Sequence, residues 1–158
     1  MARSLVFLIE SDTLRRKAIC AVLQRVPDVT VTSFDSLALA RKAMRSSTPN
    51  LMIGPWAQGG ETILAARAAA CGNATLQKVP PVLVLTDRVS PSRISLTKQA
   101  GSAELIPCEP LDEDGLFNRI TLTLCGPDAL YEALGHPSRS ALETALENMP
   151  ALKRRLAA

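Results

Sequence analysis

The sequence predicts an α/β protein: a doubly wound, five-stranded parallel sheet in the order 2-1-3-4-5, followed by a C-terminal helical extension. Two observations carry this. Leu5 to Ile9, Leu51 to Gly54 and Val82 to Leu85 are unbroken apolar runs, the pattern of strands covered on both faces. Each strand candidate is followed by a segment with helical spacing, giving five β-then-α units, and parallel strands require such crossovers. In this architecture ligands and partners gather at the carboxyl ends of strands one, three and four, beside the switch point.

The elements follow in order. After Leu5–Ile9, Asp12 can cap a helix in which Leu14, Ala18, Ala21 and Val22 recur at helical spacing. Pro27-Asp28 turns the chain into Val29-Thr30-Val31-Thr32, a β-branched strand. Leu37, Ala40 and Met44 mark a second helix, closed by Ser46 to Pro49; Leu51–Gly54 then runs into a plain loop holding Gly59-Gly60. A third, alanine-rich helix spans Thr62 to Cys71 and stops at Gly72. Pro80-Pro81 introduces the fourth strand, which ends at Thr86. Ser90-Pro91 opens a helix to Ala100, ended by Gly101. Leu105-Ile106 is a short fifth strand, and Leu116, Ile120 and Leu124 give the fifth helix its stripe.

At 158 residues the chain fits one well-filled core plus an appendage. Its net charge of +3 is spread rather than blocked, and with one Trp, one Tyr and three Phe it lacks the material for a base-stacking surface, so nucleic acid is not an expected partner. Glu10 ends the first apolar run after five residues, too soon for a secretory segment or a membrane span; a cytoplasmic protein with no membrane contact is expected. Cys20, Cys71, Cys108 and Cys125 are scattered without a Cys-x-x-Cys pair, and His136 is the only histidine, so buried free thiols are expected rather than disulfides or a zinc site. Dinucleotide, nucleophile-elbow and phosphate-loop motifs do not occur in the sequence, and His136 before Pro137 reads as a surface residue. The chain is therefore expected to be no enzyme, with no catalytic residues, metal or cofactor.

Pro49-Asn50-Leu51-Met52-Ile53-Gly54-Pro55 resembles the Pro-Asp-Leu-apolar-apolar-apolar-Asp segment of bacterial response-regulator receiver domains, whose last aspartate accepts a phosphoryl group. The resemblance runs from residue 5 to about 124 and implies a receiver-like domain over 1–125, with 126–158 as the extension. Glu10-Ser11-Asp12 resembles the acidic cluster after strand one, and Leu85-Thr86-Asp87 the Leu-Thr-Ala that carries a mobile hydroxyl. Thr86 also fits ordinary strand-end chemistry. Ala100-Gly101-Ser102 and Pro110-Leu111 supply further landmarks.

The diagnostic chemistry is missing from these positions. Pro55 has no carboxylate, Ser11 removes an acid, and a bound Mg²⁺ is not expected without them. The family lysine before the last proline is replaced by Glu109, or by Cys108 if the loop is shifted by one; either way the cation is lost, and a glutamate would repel rather than neutralise phosphate. The inward-turning aromatic corresponds to Leu105 or Ile106. The remnant pocket is then Glu10, Ser11, Asp12, Pro55, Thr86 and Glu109, and the resemblance implies a partner face around Arg93, Lys98, Leu105 and Phe117.

Beyond Gly126, Pro127-Asp128 starts a short helix to Leu134, which Gly135-His136-Pro137 ends. Ser138 or Ser140 opens another, with Leu142, Leu146 and Met149 forming a stripe before Pro150 and the basic run Lys153-Arg154-Arg155. The stripe fits packing on its own domain, a dimer seam, or a docking helix. The sequence thus predicts a phosphorylation-independent, receiver-like signalling module that binds another signalling protein or itself. Two alternatives stand beside it: a small-molecule sensor using Glu10, Asp12, Pro55 and Thr86, and a DNA-associated regulator using the basic tail.

Overall fold

The computed structural model describes residues 3–72 and 79–135. His136, Leu142, Leu146, Met149 and the basic run from Lys153 lie outside them. The chain divides into two compact units, Met1–Phe117 and Asn118–Ala158.

The first unit is built on strands β1 (Ser4–Ile9), β2 (Val29–Phe34), β3 (Leu51–Pro55), β6 (Val82–Thr86) and β7 (Ala103–Pro107), all parallel, in the order β2-β1-β3-β6-β7. With the hairpin strands β4 (Ala57–Gln58) and β5 (Glu61–Thr62) set aside, this is the expected 2-1-3-4-5 order. Helices α1 (Thr13–Gln24), α2 (Leu37–Ala43), α3 (Ile63–Cys71) and α4 (Pro91–Ala100) make the crossovers, and α5 (Glu113–Cys125) follows β7. Local chemistry starts each helix: the side chains of Asp12, Ser36, Thr62 and Ser90 accept from the backbone N–H of Arg15, Leu39, Ala65 and Arg93. Each such cap stabilises by about 1 kcal/mol.

Alternation along β1 sends Phe7 and Ile9 to one face and Val6 and Leu8 to the other, and all four are buried. Phe7 and Ile9 join Leu37, Ala40, Met44, Met52, Ile63, Val82 and Val84 in one cluster. Val84, at 0% exposed, pairs with Gly54 on one side and Leu105 on the other, as a central strand requires.

Several local expectations are corrected. Leu14 is 79% exposed, and the buried stripe of α1 is Ile19, Val22 and Leu23, continued by Val26, because i, i+3 and i+4 spacing from Ile19 leaves Leu14 on the solvent side. Gly59-Gly60 is a hairpin turn rather than a plain loop. Both residues have positive φ, +60° and +79°, which a tight two-residue reversal between β4 and β5 demands and glycine adopts freely. The hairpin is tied down by Gln58, whose Oε1 accepts from Leu37 N–H at 2.8 Å while its Nε2 donates to the Asp35 carbonyl at 3.1 Å. Of the thiols only Cys108 is buried; Cys20 and Cys71 are half-buried and Cys125 is exposed.

In the second unit, α6 (Pro127–Ala133) begins at Pro127 as expected, its missing N–H costing nothing in a first turn. Among the described residues no helix is long and apolar enough to cross a membrane.

Candidate functional site

The carboxyl ends of β1, β3, β6 and β7 surround a cleft of about 290 Å³, lined by Glu10, Arg15, Pro55, Trp56, Ala57, Leu85, Asp87, Arg93, Cys108 and Glu109. Backbone pairing holds this rim: Trp56 N–H donates to the Leu85 carbonyl and Cys108 N–H to that of Thr86, each at 3.0 Å.

Three of the residues expected in the remnant pocket line it: Glu10, Pro55 and Glu109. Pro55 closes β3 half-buried, opposite Leu85, and presents a ring where the resemblance puts an acid. Thr86 is buried beside the cleft. Ser11 and Asp12 are exposed outside its lining, and Asp12 is spent as the α1 cap at 2.8 Å from Arg15 N–H. Cys108 and Glu109 both face the cleft, so either alignment of the loop leaves it without the lysine.

The cations of the cleft come from helices instead. Arg15, in the first turn of α1, reaches Glu10 Oε2 at 3.7 Å through Nη1 and Glu109 Oε1 at 3.1 Å through Nη2. Burial alone would lower its pKa, but the neighbouring Cys108, Glu10, Asp12 and Glu109 outweigh that and raise it, so Arg15 is a permanent cation. Glu10 is 5% exposed, and its Oε1 accepts from Asp12 N–H at 3.0 Å. A buried carboxylate needs both kinds of partner to offset the water it has lost.

Arg93, in the first turn of α4, donates through Nη1 to Thr86 Oγ1 at 2.7 Å and Asp87 Oδ1 at 2.8 Å. Its guanidinium carbon also lies 5.1 Å from the centre of the Trp56 ring, a contact worth roughly 0.5–1 kcal/mol where solvent reaches it. Thr86 Oγ1 meanwhile donates to the Arg88 carbonyl at 2.5 Å and accepts from Arg88 N–H at 3.3 Å. Its hydroxyl is thus fully engaged, and leaving this position would break all three bonds.

Arg93 lowers the Asp87 pKa, chiefly through their hydrogen bond. The expected result, by NMR titration of the carboxyl carbon, is a midpoint below that of an ordinary aspartate, returning upward in Arg93→Gln. The sign follows from the lowered folded-state value: the pair stabilises above the unfolded carboxylate pKa, and that contribution is lost as pH falls through the folded one. An unshifted wild-type midpoint would contradict the contact. Burial pushes the Cys108 thiol up, which keeps it protonated and weakly nucleophilic near neutral pH.

The residues expected on a partner face do not stay together. Arg93 turns into the cleft. Lys98 and Leu105 line a separate shallow groove of about 150 Å³ with Ile94, Thr97, Ala103 and Glu104. Phe117 is 8% exposed, with the guanidinium of Arg25 4.3 Å over its ring, and so is not presented outward. Arg15 and Trp56 are cleft residues that spacing alone did not single out. The available signal is position: a long side chain in the first turn of a helix that follows a strand lies at the sheet's carboxyl edge.

No family model matches the sequence, and no curated protein matches it. Solved structures do. Chemotaxis protein CheY4 of Vibrio cholerae superposes with a TM-score of 0.65 at 17% identity, over 78% of this chain and 100% of that one. A response regulator from Chloroflexus aurantiacus gives 0.65 at 18% identity, over 77% and 98%. The phosphorylated cyanobacterial phytochrome response regulator RcpA gives 0.60 at 16%, over 78% and 94%. Together with the β2-β1-β3-β6-β7 order, these superpositions identify the fold as that of response-regulator receiver domains.

Proposed function

We propose that this chain is a receiver-like module of bacterial signalling that works without phosphorylation, by binding another protein. The observation that carries the reading is the cleft itself. Pro55 stands where the acceptor would be, and Glu109 or Cys108 where the lysine would be. RcpA is a phosphorylated regulator; in this cleft phosphoryl transfer from a donor finds no carboxylate at the end of β3, where Pro55 stands. Thr86, bound to Arg93 and Arg88, is held by the protein's own groups in place of an incoming phosphate.

With the phosphoryl route closed, output rests on contact surfaces. The groove between α4 and β7 is lined by Ile94, Ala103 and Leu105, with Ile94 38% exposed. Lys98 adds a cation at its edge.

Treatment of the full chain with acetyl phosphate and Mg²⁺, followed by intact-mass measurement, is expected to add no phosphoryl group. Affinity capture from native cells should then enrich a specific protein with the wild type and lose it with Ile94→Asp. A stable, Mg²⁺-dependent single phosphoryl adduct would overturn the first half of the reading, and equal capture by wild type and variant would remove the groove from the second.

A further inference from the structure

We infer that the cleft is a binding site for a small dicarboxylate, whose two carboxylates take the places that the Asp87 and Glu109 side chains hold on Arg93 and Arg15. The inference does not depend on how the chain signals.

The argument begins with an asymmetry in the two ion pairs. The side chains of Arg93 and Arg15 are 18% and 28% exposed, whereas those of their partners Asp87 and Glu109 are 67% and 64% exposed. The cations are therefore built into the site, and the anions are free to swing into water. Arg93 is fixed from several sides, by Thr86, Asp87 and the Trp56 ring. Arg15 is fixed by Glu10, which stays buried beneath it. Asp87 meets Arg93 through one nitrogen, and Glu109 meets Arg15 through one nitrogen, short of the two-point fork that a guanidinium and a carboxylate can form.

Energetics permit the exchange. Both anions are exposed to water, so releasing them costs a ligand only a few-fold to tens-fold in affinity. Each guanidinium exchanges one carboxylate for another, Asp87 and Glu109 turning to solvent at the rim, and Glu10 continues to balance Arg15. Two guanidiniums from different helices facing one cleft match a ligand with two anionic groups. The volume of about 290 Å³ lies at the small end of the roughly 300–1,000 Å³ usual for ligand sites, which suits a short-chain diacid. Pro55, Trp56 and Leu85 provide the apolar wall against which its carbon chain would lie.

Trp56 is the only tryptophan of the chain, so its fluorescence reports on this cleft alone. The full chain would be titrated with succinate and with glutarate at constant ionic strength, beside acetate, inorganic phosphate and sodium chloride. A saturable change with a diacid, not reproduced by acetate or chloride, is expected. The decisive variant is Asp87→Asn/Glu109→Gln, which leaves both arginines in place. It should bind the diacid more tightly, by roughly threefold per carboxylate removed if each pair is of ordinary strength. Arg93→Gln and Arg15→Gln should each lose the response, and unchanged circular dichroism will show that they remain folded. No saturable response to either diacid, equal or weaker binding by the double variant, or a response to phosphate alone would each overturn the inference.

Discussion

Replacing Arg67 with alanine is expected to lower folding stability by about 3 kcal/mol, because its guanidinium is the donor for four backbone carbonyls at once. Arg67 lies on α3 and is 2% exposed, an unusual position for a cation. Nη1 donates to Pro80 and Ser102 at 3.0 Å each, and Nη2 to Gly101 at 2.8 Å and Ala100 at 3.4 Å. The side chain thereby joins α3 to the α4–β7 turn and to the segment entering β6. Burial lowers its pKa from the usual arginine value, a sign that the site charges a desolvation cost which these bonds offset.

Removing it leaves a cavity and carbonyls that lose a charged donor. Ser102 loses least, since its carbonyl also accepts from Val82 N–H at 2.9 Å. Recovery of the desolvation cost keeps the net loss below the sum of four bonds. For a chain of this size about 3 kcal/mol lowers the melting midpoint by roughly 6–12 °C. Thermal melts followed by circular dichroism would show it. Arg67→Lys should fall between, since one ammonium cannot reach around the same fan of carbonyls. An alanine variant that melts with the wild type would mean the fan contributes nothing net.

The second large effect is expected at Gly54, in β3 immediately before Pro55. A Cβ there would sit 2.8 Å from Ile63 Cδ1, 3.1 Å from Ile9 Cβ and 3.3 Å from Ile9 Cδ1. Ile63 and Ile9 are both 0% exposed. The Cδ1 of Ile63 can shift at some cost, but Ile9 Cβ moves only with its backbone. Gly54→Ala should therefore cost about 1 kcal/mol, and Gly54→Val about 3 kcal/mol, the upper end for overpacking a filled core. Strand β3 carries Pro55 directly and Trp56 just beyond, so displacement of the strand should also move the Trp56 emission. A valine variant with wild-type melting and wild-type emission would show that the core has room here after all.

Gly54 and Arg67 illustrate where sequence information stops. Gly54 belongs to an apolar run legible as a strand, yet nothing within Leu51 to Pro55 says that Ile9 and Ile63 close over it. Arg67 sits in an alanine-rich stretch legible as a helix, yet its partners are 13 to 35 residues away. The cleft behaves in the same way. Pro55, Glu109 and Glu10 are placed at the cleft by the resemblance, which matches each of them to a strand end, and all three line it. Arg15 was not, because its contact with Glu109 spans 94 positions. The resemblance puts Arg93 on an outward face, and its Nη1 contacts with Thr86 and Asp87 turn it inward.

What the sequence by itself determined are features whose cause is local. Strand runs, the caps at Asp12 and Ser90 and the stop at Gly101 depend on a residue and its near neighbours, and the alternation of strand with helix calls for right-handed crossovers between parallel strands. Only the tertiary structure decided which cations serve the cleft, how Thr86 is held, that Phe117 lies under Arg25, and that Gly59-Gly60 closes a hairpin docked on α2 by Gln58. Those depend on side chains from separate elements meeting within a few ångströms. The spacing of residues along a chain does not specify such distances until the packing of the elements has set them.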